Sequence, residues 1–126
     1  MSVSPQAQLQ AIQLLSEIEE LRANPAFLAE DVFQLSQVWE SEEEFLRAIN
    51  ATILAIKQLA SGAVDVASLS YKLSGWSAYH YQHACSQGSP ADMRIVFQME
   101  KRHIKMLAFG HRSIPNSIYL AAAQRF

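Results

Sequence analysis

Apolar positions in the first 62 residues recur at helical spacing, whereas those after residue 76 alternate with polar ones. Leu9, Ile12, Leu15, Ile18 and Leu21 follow one another at intervals of three, and Leu14 widens the stripe. This predicts a helix opening at Ser4-Pro5, a capping hydroxyl followed by proline at the first helical position. It would stop at Asn24-Pro25, because a residue before proline is pushed out of the α region. Leu28, Val32, Leu35 and Trp39, spaced four, three and four apart, predict a second helix. A third opens at Ser41 with the pattern S-x-x-E, its three glutamates Glu42, Glu43 and Glu44 at the positive end of the helix dipole. Its buried face would run through Phe45, Ile49, Ile53, Ile56 and Ala60, and Ser61-Gly62 would end it. A strand through Val32–Val38 fits the spacing of the second segment less well, so the first 40 residues read as helical, with no clear first strand.

The second half has a different rhythm. Lys72-Leu73-Ser74-Gly75-Trp76 reads as a turn with an aromatic anchor. From Ala78 to His83 aromatic and polar residues alternate, so Tyr79 and Tyr81 would face inward while His80 and Gln82 share the exposed face. Ser86–Pro90 is loop by composition. Arg94–Met99 reads as a strand with Ile95 and Phe97 on one face and Arg94, Val96 and Gln98 on the other. Glu100–His103 is a charged hairpin connection and Ile104–Phe109 the next strand, after which Gly110 would bend the chain. Pro115-Asn116 marks a turn before a short tail, Ile118–Phe126. The pattern predicts an α+β fold with N-terminal helices packed on a small antiparallel sheet of three to four strands. On this reading Arg94 and His80 project from one sheet face, and His111, Arg112 and Tyr119 gather at one strand end.

Composition narrows the class. The chain has 126 residues, half of them hydrophobic, with four Gly and four Pro, which suits one folded domain with its own core. No apolar run approaches the roughly 20 residues of a membrane span, and the N-terminus lacks the basic start and apolar stretch of a secretory signal. Cys85 is the sole cysteine, so no internal disulfide and no cysteine metal cluster is expected. Its sequence neighbourhood offers no activating group except His83, which argues against a nucleophilic thiol. These features fit a soluble cytoplasmic protein without a membrane partner. The net charge of −2 hides an asymmetry: residues 1–63 carry three basic against nine acidic residues, and residues 64–126 seven basic against three acidic. All four histidines also lie in the second half. Such a split suits an anionic partner for the basic half, although helices rich in glutamate would produce it too.

The chemistry concentrates between residues 72 and 125. Arginines hold phosphate oxygens through paired hydrogen bonds, and imidazole and phenol can move protons. Arg94, His80, His111, Arg112 and Tyr119 are thus candidates for work on a phosphodiester. His80 and His83, three apart on a strand, fall on opposite faces, which argues against a metal site between them.

At these residues the chain resembles the RelE/ParE toxin superfamily, nearest to its RelE and YoeB ribonuclease branch. Lys72-Leu73-Ser74-Gly75 before an aromatic resembles the family's "KL-x-G" entry to a central strand. Tyr79-His80-Tyr81-Gln82 is similar to the strand that carries basic residues in RelE, and Arg94-Ile95-Val96-Phe97-Gln98 to its "R-[LIV]-V-Y-x" strand. Gly110-His111-Arg112 and Ile118-Tyr119, followed by Ala123-Gln124-Arg125, resemble the terminal "G-[HK]-R…[VI]-Y" pattern. The resemblance covers roughly the last 55 residues. With the helix from Ser41 it implies a RelE-like core over residues 41–126, preceded by an extra helical segment over residues 1–40, in one domain. The family's usual β-strand followed by a helical hairpin has no visible counterpart of that strand in this sequence.

The resemblance implies a toxin of a type II toxin-antitoxin system that cleaves mRNA in the ribosome. The ribose 2′-hydroxyl attacks the adjacent phosphate, so neither metal nor other cofactor is expected. Arg94 and Arg112 would stabilise the developing charge, Tyr119 or His111 would move protons, and His80 would stand where the family often has a lysine. Lys72, Gln82, Lys101, Arg102 and Lys105 would contact RNA. A cognate antitoxin would cover the basic face, and the N-terminal helices could pair two copies or mask that face within one. A second reading keeps the scaffold but makes it a noncatalytic protein that binds a protein partner, favoured by the low basicity and by His80 and Gln82 at lysine positions.

Overall fold

A computed structural model describes residues 3–62, 66–69, 73–83, 91–101, 103–112 and 118–125. The elements are α1 (Pro5–Ser16), β1 (Leu21–Ala23), α2 (Pro25–Ser36), α3 (Glu42–Ser61), β2 (Ala67–Ser68), β3 (Ser77–Tyr81), β4 (Met93–Glu100), β5 (His103–His111) and α4 (Ile118–Ala123). The α+β class expected from the sequence holds. The sheet does not have three to four antiparallel strands: it has five, in the order β1-β5-β4-β3-β2, and β1 runs parallel to β5.

The long first helix is cut short. Ser4 caps α1, its hydroxyl accepting from Ala7 N, but the helix ends at Ser16 with Glu17 as its C-cap. Glu17, Glu19 and Glu20 would lie at the negative end of a longer helix, where acidic side chains are disfavoured. The chain turns instead and lays Leu21–Ala23 beside Ile104–Met106 of β5. The apolar interval of three misled because each such step rotates about 60° around a helix. The residues that α1 buries, Ala7, Ala11 and Leu15, are four apart, and Leu9 is left 67% exposed.

Asn24, read from the sequence only as a stop, also caps α2, its Oδ1 accepting from Ala26 N at 2.9 Å. At α3 the Ser41 hydroxyl accepts from Glu44 N at 3.3 Å, and Gly62 closes the helix in the left-handed region at φ 74°. Glu44 reaches away from the cap, towards Arg47 and His83. α3 buries Phe45, Ala48, Ile49, Thr52, Ala55, Ile56 and Leu59, whereas Ile53 and Ala60 stay partly buried at its margin.

One sheet face carries the main core. Met93, Ile95, Phe97, Ile104, Met106 and Phe109 meet Leu15, Val32, Leu35, Phe45, Ile49 and Ile56 there. Tyr81 joins this layer and exchanges a 2.7 Å hydrogen bond with Thr52, which also donates to Ala48 O. On the other face a smaller cluster forms from Leu73, Val96, Leu107, Ala108, Ile118 and Ala122, beneath α4. A register shift after Val96, which pairs with Ala108 while Phe97 pairs with Met106, leaves Leu107 as the extra residue of β5. That bulge lets Leu107 and Ala108 both serve the second cluster. Gly110 does not bend the chain: it stays in β5 opposite Arg94. The expected turn at Pro115-Asn116 and the loop Ser86–Pro90 lie outside the described residues.

β1 pairs with only the first part of β5, so the edge beyond Met106 needs other partners. Buried Asp31 of α2 accepts from Phe109 N at 3.1 Å, and Arg125 donates to Leu107 O at 3.0 Å. Arg125 and Asp31 also form a two-point ion pair, both bonds at 2.8 Å. Burial pushes the Asp31 carboxyl above its ordinary value against the pull of Arg125, while Asp31 and Glu30 hold Arg125 above its own despite burial. The three N–H groups bonded to Asp31 among the described residues, one from Phe109 and two from Arg125, are all donors, an arrangement that favours the carboxylate over the acid.

Candidate functional site

Cross-strand pairing sets the first cluster. β3 and β4 run antiparallel with His80 opposite Arg94, so both project from the face bearing the smaller core. Ile118 and Ala122 anchor α4 on that core and thereby fix Tyr119 beside them. His80 Nε2 lies 3.0 Å from Tyr119 Oη, and the Arg94 guanidinium carbon lies 5.5 Å from the centre of the Tyr119 ring. His80 is exposed and Tyr119 half-buried. Arg94 Nε is buried with no hydrogen-bond partner among the described residues. Buried donors are rarely left so. Burial, then the neighbouring Arg94 charge, holds the His80 imidazole below its ordinary value, so the ring is neutral at neutral pH.

Arg112 lies one residue beyond β5, exposed, with its backbone N–H donated to Asp92 O at 2.9 Å. The expected grouping of His111 with Arg112 and Tyr119 does not form. His111 pairs with Met93 and therefore takes the opposite sheet face, because adjacent strand residues point opposite ways. Gln82 does not share a face with His80 either: it follows the end of β3 and, with Tyr79, Tyr81 and Arg47, lines the groove beside α3. Lys101 and Lys105 are exposed. Lys105 Nζ lies 3.8 Å from Glu100 and 5.7 Å from the centre of a Trp76 ring. Lys72 and Arg102 lie outside the described residues.

A second cluster, not anticipated as a site, stands at the other face. His83 follows β3 by two residues and so continues the inward series Tyr79, Tyr81. Its Nδ1 hydrogen-bonds Asp92 Oδ2, and its Nε2 lies 3.0 Å from Glu44 Oε2. The His83 backbone N–H donates to the other Asp92 oxygen at 2.9 Å. His111 Nε2 lies 3.3 Å from Asp92 Oδ2. Trp39 packs against both imidazoles, with ring centres 4.8 Å from His83 and 5.2 Å from His111. Burial would raise the Asp92 carboxyl, but the His83 hydrogen bonds and the nearby imidazole charges hold it below its ordinary value. Burial lowers His111, against the pull of Asp92. The period-2 continuation from Tyr81 to His83, and from Phe109 to His111, was the signal available in the sequence.

Compared with known proteins, the chain matches no family model, no curated protein and no solved structure at a significant level. Among the described residues no helix is long and apolar enough to cross a membrane.

Proposed function

We propose that this chain is a RelE-like toxin that cleaves mRNA on the ribosome through attack of the ribose 2′-hydroxyl. The observation that carries this reading is the buried Arg94 Nε, without a hydrogen-bond partner among the described residues, beside the hydrogen-bonded His80–Tyr119 pair. The order of β1, the helices α2 and α3, and then the remaining strands also supports it. A strand ahead of a helical hairpin is the arrangement the family resemblance implies.

The roles follow from the groups. Arg94, with Arg112 exposed just after β5, binds the scissile phosphate and stabilises the charge gathering on its oxygens. His80 is the base. With Nε2–H donating to Tyr119 Oη, the Nδ1 lone pair takes the 2′-hydroxyl proton. The 2′-oxygen bonds to phosphorus, the bond from phosphorus to the 5′-oxygen breaks, and the leaving oxygen takes a proton from water. The products are a 2′,3′-cyclic phosphate and a 5′-hydroxyl. Lys101 and Lys105 add phosphate contacts along the exposed hairpin. The antitoxin covers the face that holds His80, Arg94 and Tyr119.

Induced expression is the test. Wild type arrests growth, and Arg94→Ala and Arg112→Ala relieve the arrest while accumulating as folded protein. Tolerance of wild-type protein at high level, or equal toxicity of both variants, overturns the reading. Capture of one discrete protein partner without ribosome binding would favour a noncatalytic binder on this scaffold.

A further inference from the structure

We infer that His83, Asp92 and His111 form a binding site for one divalent transition-metal ion, of the class that zinc represents. The site stands on the sheet face opposite Arg94 and is independent of the ribonuclease reading. Two imidazoles and one carboxylate are a donor set suited to such ions. One ligand atom from each residue lies within 4.8 Å of the others. Bonds of about 2.1 Å in tetrahedral geometry bring donors to about 3.4 Å apart. His111 Nε2 and Asp92 Oδ2, at 3.3 Å, already meet that spacing. A modest rotation of His83 completes the set.

A second observation concerns what orients His83. Both nitrogens of His83 face carboxylate oxygens, Asp92 at Nδ1 and Glu44 at Nε2. With an ion between Nδ1 and Asp92, Nε2–H would donate to Glu44 while Nδ1 and Asp92 Oδ2 turn their lone pairs on the metal. Glu44 then has the place of the carboxylate that orients a ligating histidine from behind. Trp39, against both rings, walls the site and limits their rotation. The ion would tie the first turn of α3 to the ends of β3, β4 and β5, and the three protein ligands leave at least one coordination position open.

Titration of the full chain with Zn²⁺ against a colorimetric chelator tests this directly. One equivalent is expected to bind saturably, with His83→Ala and His111→Ala each weakening it at least 100-fold. Glu44→Gln should weaken it about 10- to 100-fold. His103→Ala should leave it unchanged. A readout that needs no ligand variant uses Trp76→Phe, which leaves Trp39 as the sole tryptophan. Co²⁺ should quench its fluorescence and Zn²⁺ should reverse the quenching. Absence of saturable Zn²⁺ binding by wild type, or undiminished binding in both histidine variants, overturns the proposal.

Discussion

Arg94, His80 and Tyr119 come from three different elements, and each is held by neighbours that were chosen for packing. Val96 follows Arg94 by two residues and is fully buried beneath α4, which locks the strand face that Arg94 uses. His80 depends on its register opposite Arg94, because a slip of one residue would send it into the main core. The His80 environment yields a prediction about protonation. Its pKa is lowered from 6.5 by burial and by Arg94, so the folded state disfavours the proton. The corresponding stability is present above the ordinary value and is lost as pH falls through the unfolded and then the folded midpoint. Ring titration followed by NMR should therefore give a midpoint below 6.5. Arg94→Gln should raise it; an unchanged midpoint would remove the electrostatic coupling from the account. On catalysis, Arg94→Ala is expected to slow RNA cleavage by about 10²- to 10³-fold, the cost of losing one charge-stabilising donor. His80→Ala should slow it by about 10²- to 10⁴-fold. Single-turnover assays on ribosome-bound message would check both. The inward pairing of Tyr79 with Tyr81 and the shared face of His80 and Arg94 were legible from alternation alone. The separation of His111 from Arg112 was legible by the same rule, but a cationic dipeptide invited grouping by charge.

Among the elements, strand β1 and the pair Asp31–Arg125 decide how the sheet ends. Both were hidden in the sequence for physical reasons. A three-residue strand is too short to show a period, and Leu21–Ala23 forms because β5 offers it a parallel edge, a long-range contact that local pattern cannot report. Asp31 sits within a helical stripe and reads as a surface acid, yet it is buried and accepts hydrogen bonds from Phe109 N and Arg125. The helix α3 was legible because cap, spacing and the sign of its first-turn charges agree there, and α2 because of its apolar spacing. Arg125→Ala would strand the Asp31 carboxylate in the interior. A loss of about 3–5 kcal/mol is expected from breaking such a pair, measured by urea unfolding. Asp31→Ala should cost a comparable amount, because it also strips Phe109 N of its acceptor. The double variant should lose less than the sum of the two. Additive losses would mean that the pair does not act as a unit. Ser41→Ala, which removes the cap of α3, should cost about 1 kcal/mol in the same assay.

For the whole molecule, the two sheet faces divide the labour. One is sealed by α1, α2 and α3 over the larger core, with His83, Asp92 and His111 at its margin. The other holds the smaller cluster under α4 and presents His80, Arg94 and Tyr119. The acidic first half and basic second half visible in the sequence meet in places: Asp31 and Glu30 neutralise Arg125, and Glu44 faces His83. Lys101 on the hairpin after β4 is exposed, so on the proposed function ribosome binding should weaken as salt is raised, as counterion release requires. Pelleting with ribosomes across a salt series checks this, and binding that does not vary with salt would contradict it. The central claim, that the face carrying Arg94 cleaves mRNA, is tested most directly with purified protein, ribosomes and a defined message. Cuts confined to ribosome-bound message, bearing 2′,3′-cyclic phosphate ends and lost in Arg94→Ala, are the predicted result. Intact message on ribosomes saturated with wild-type protein would contradict it.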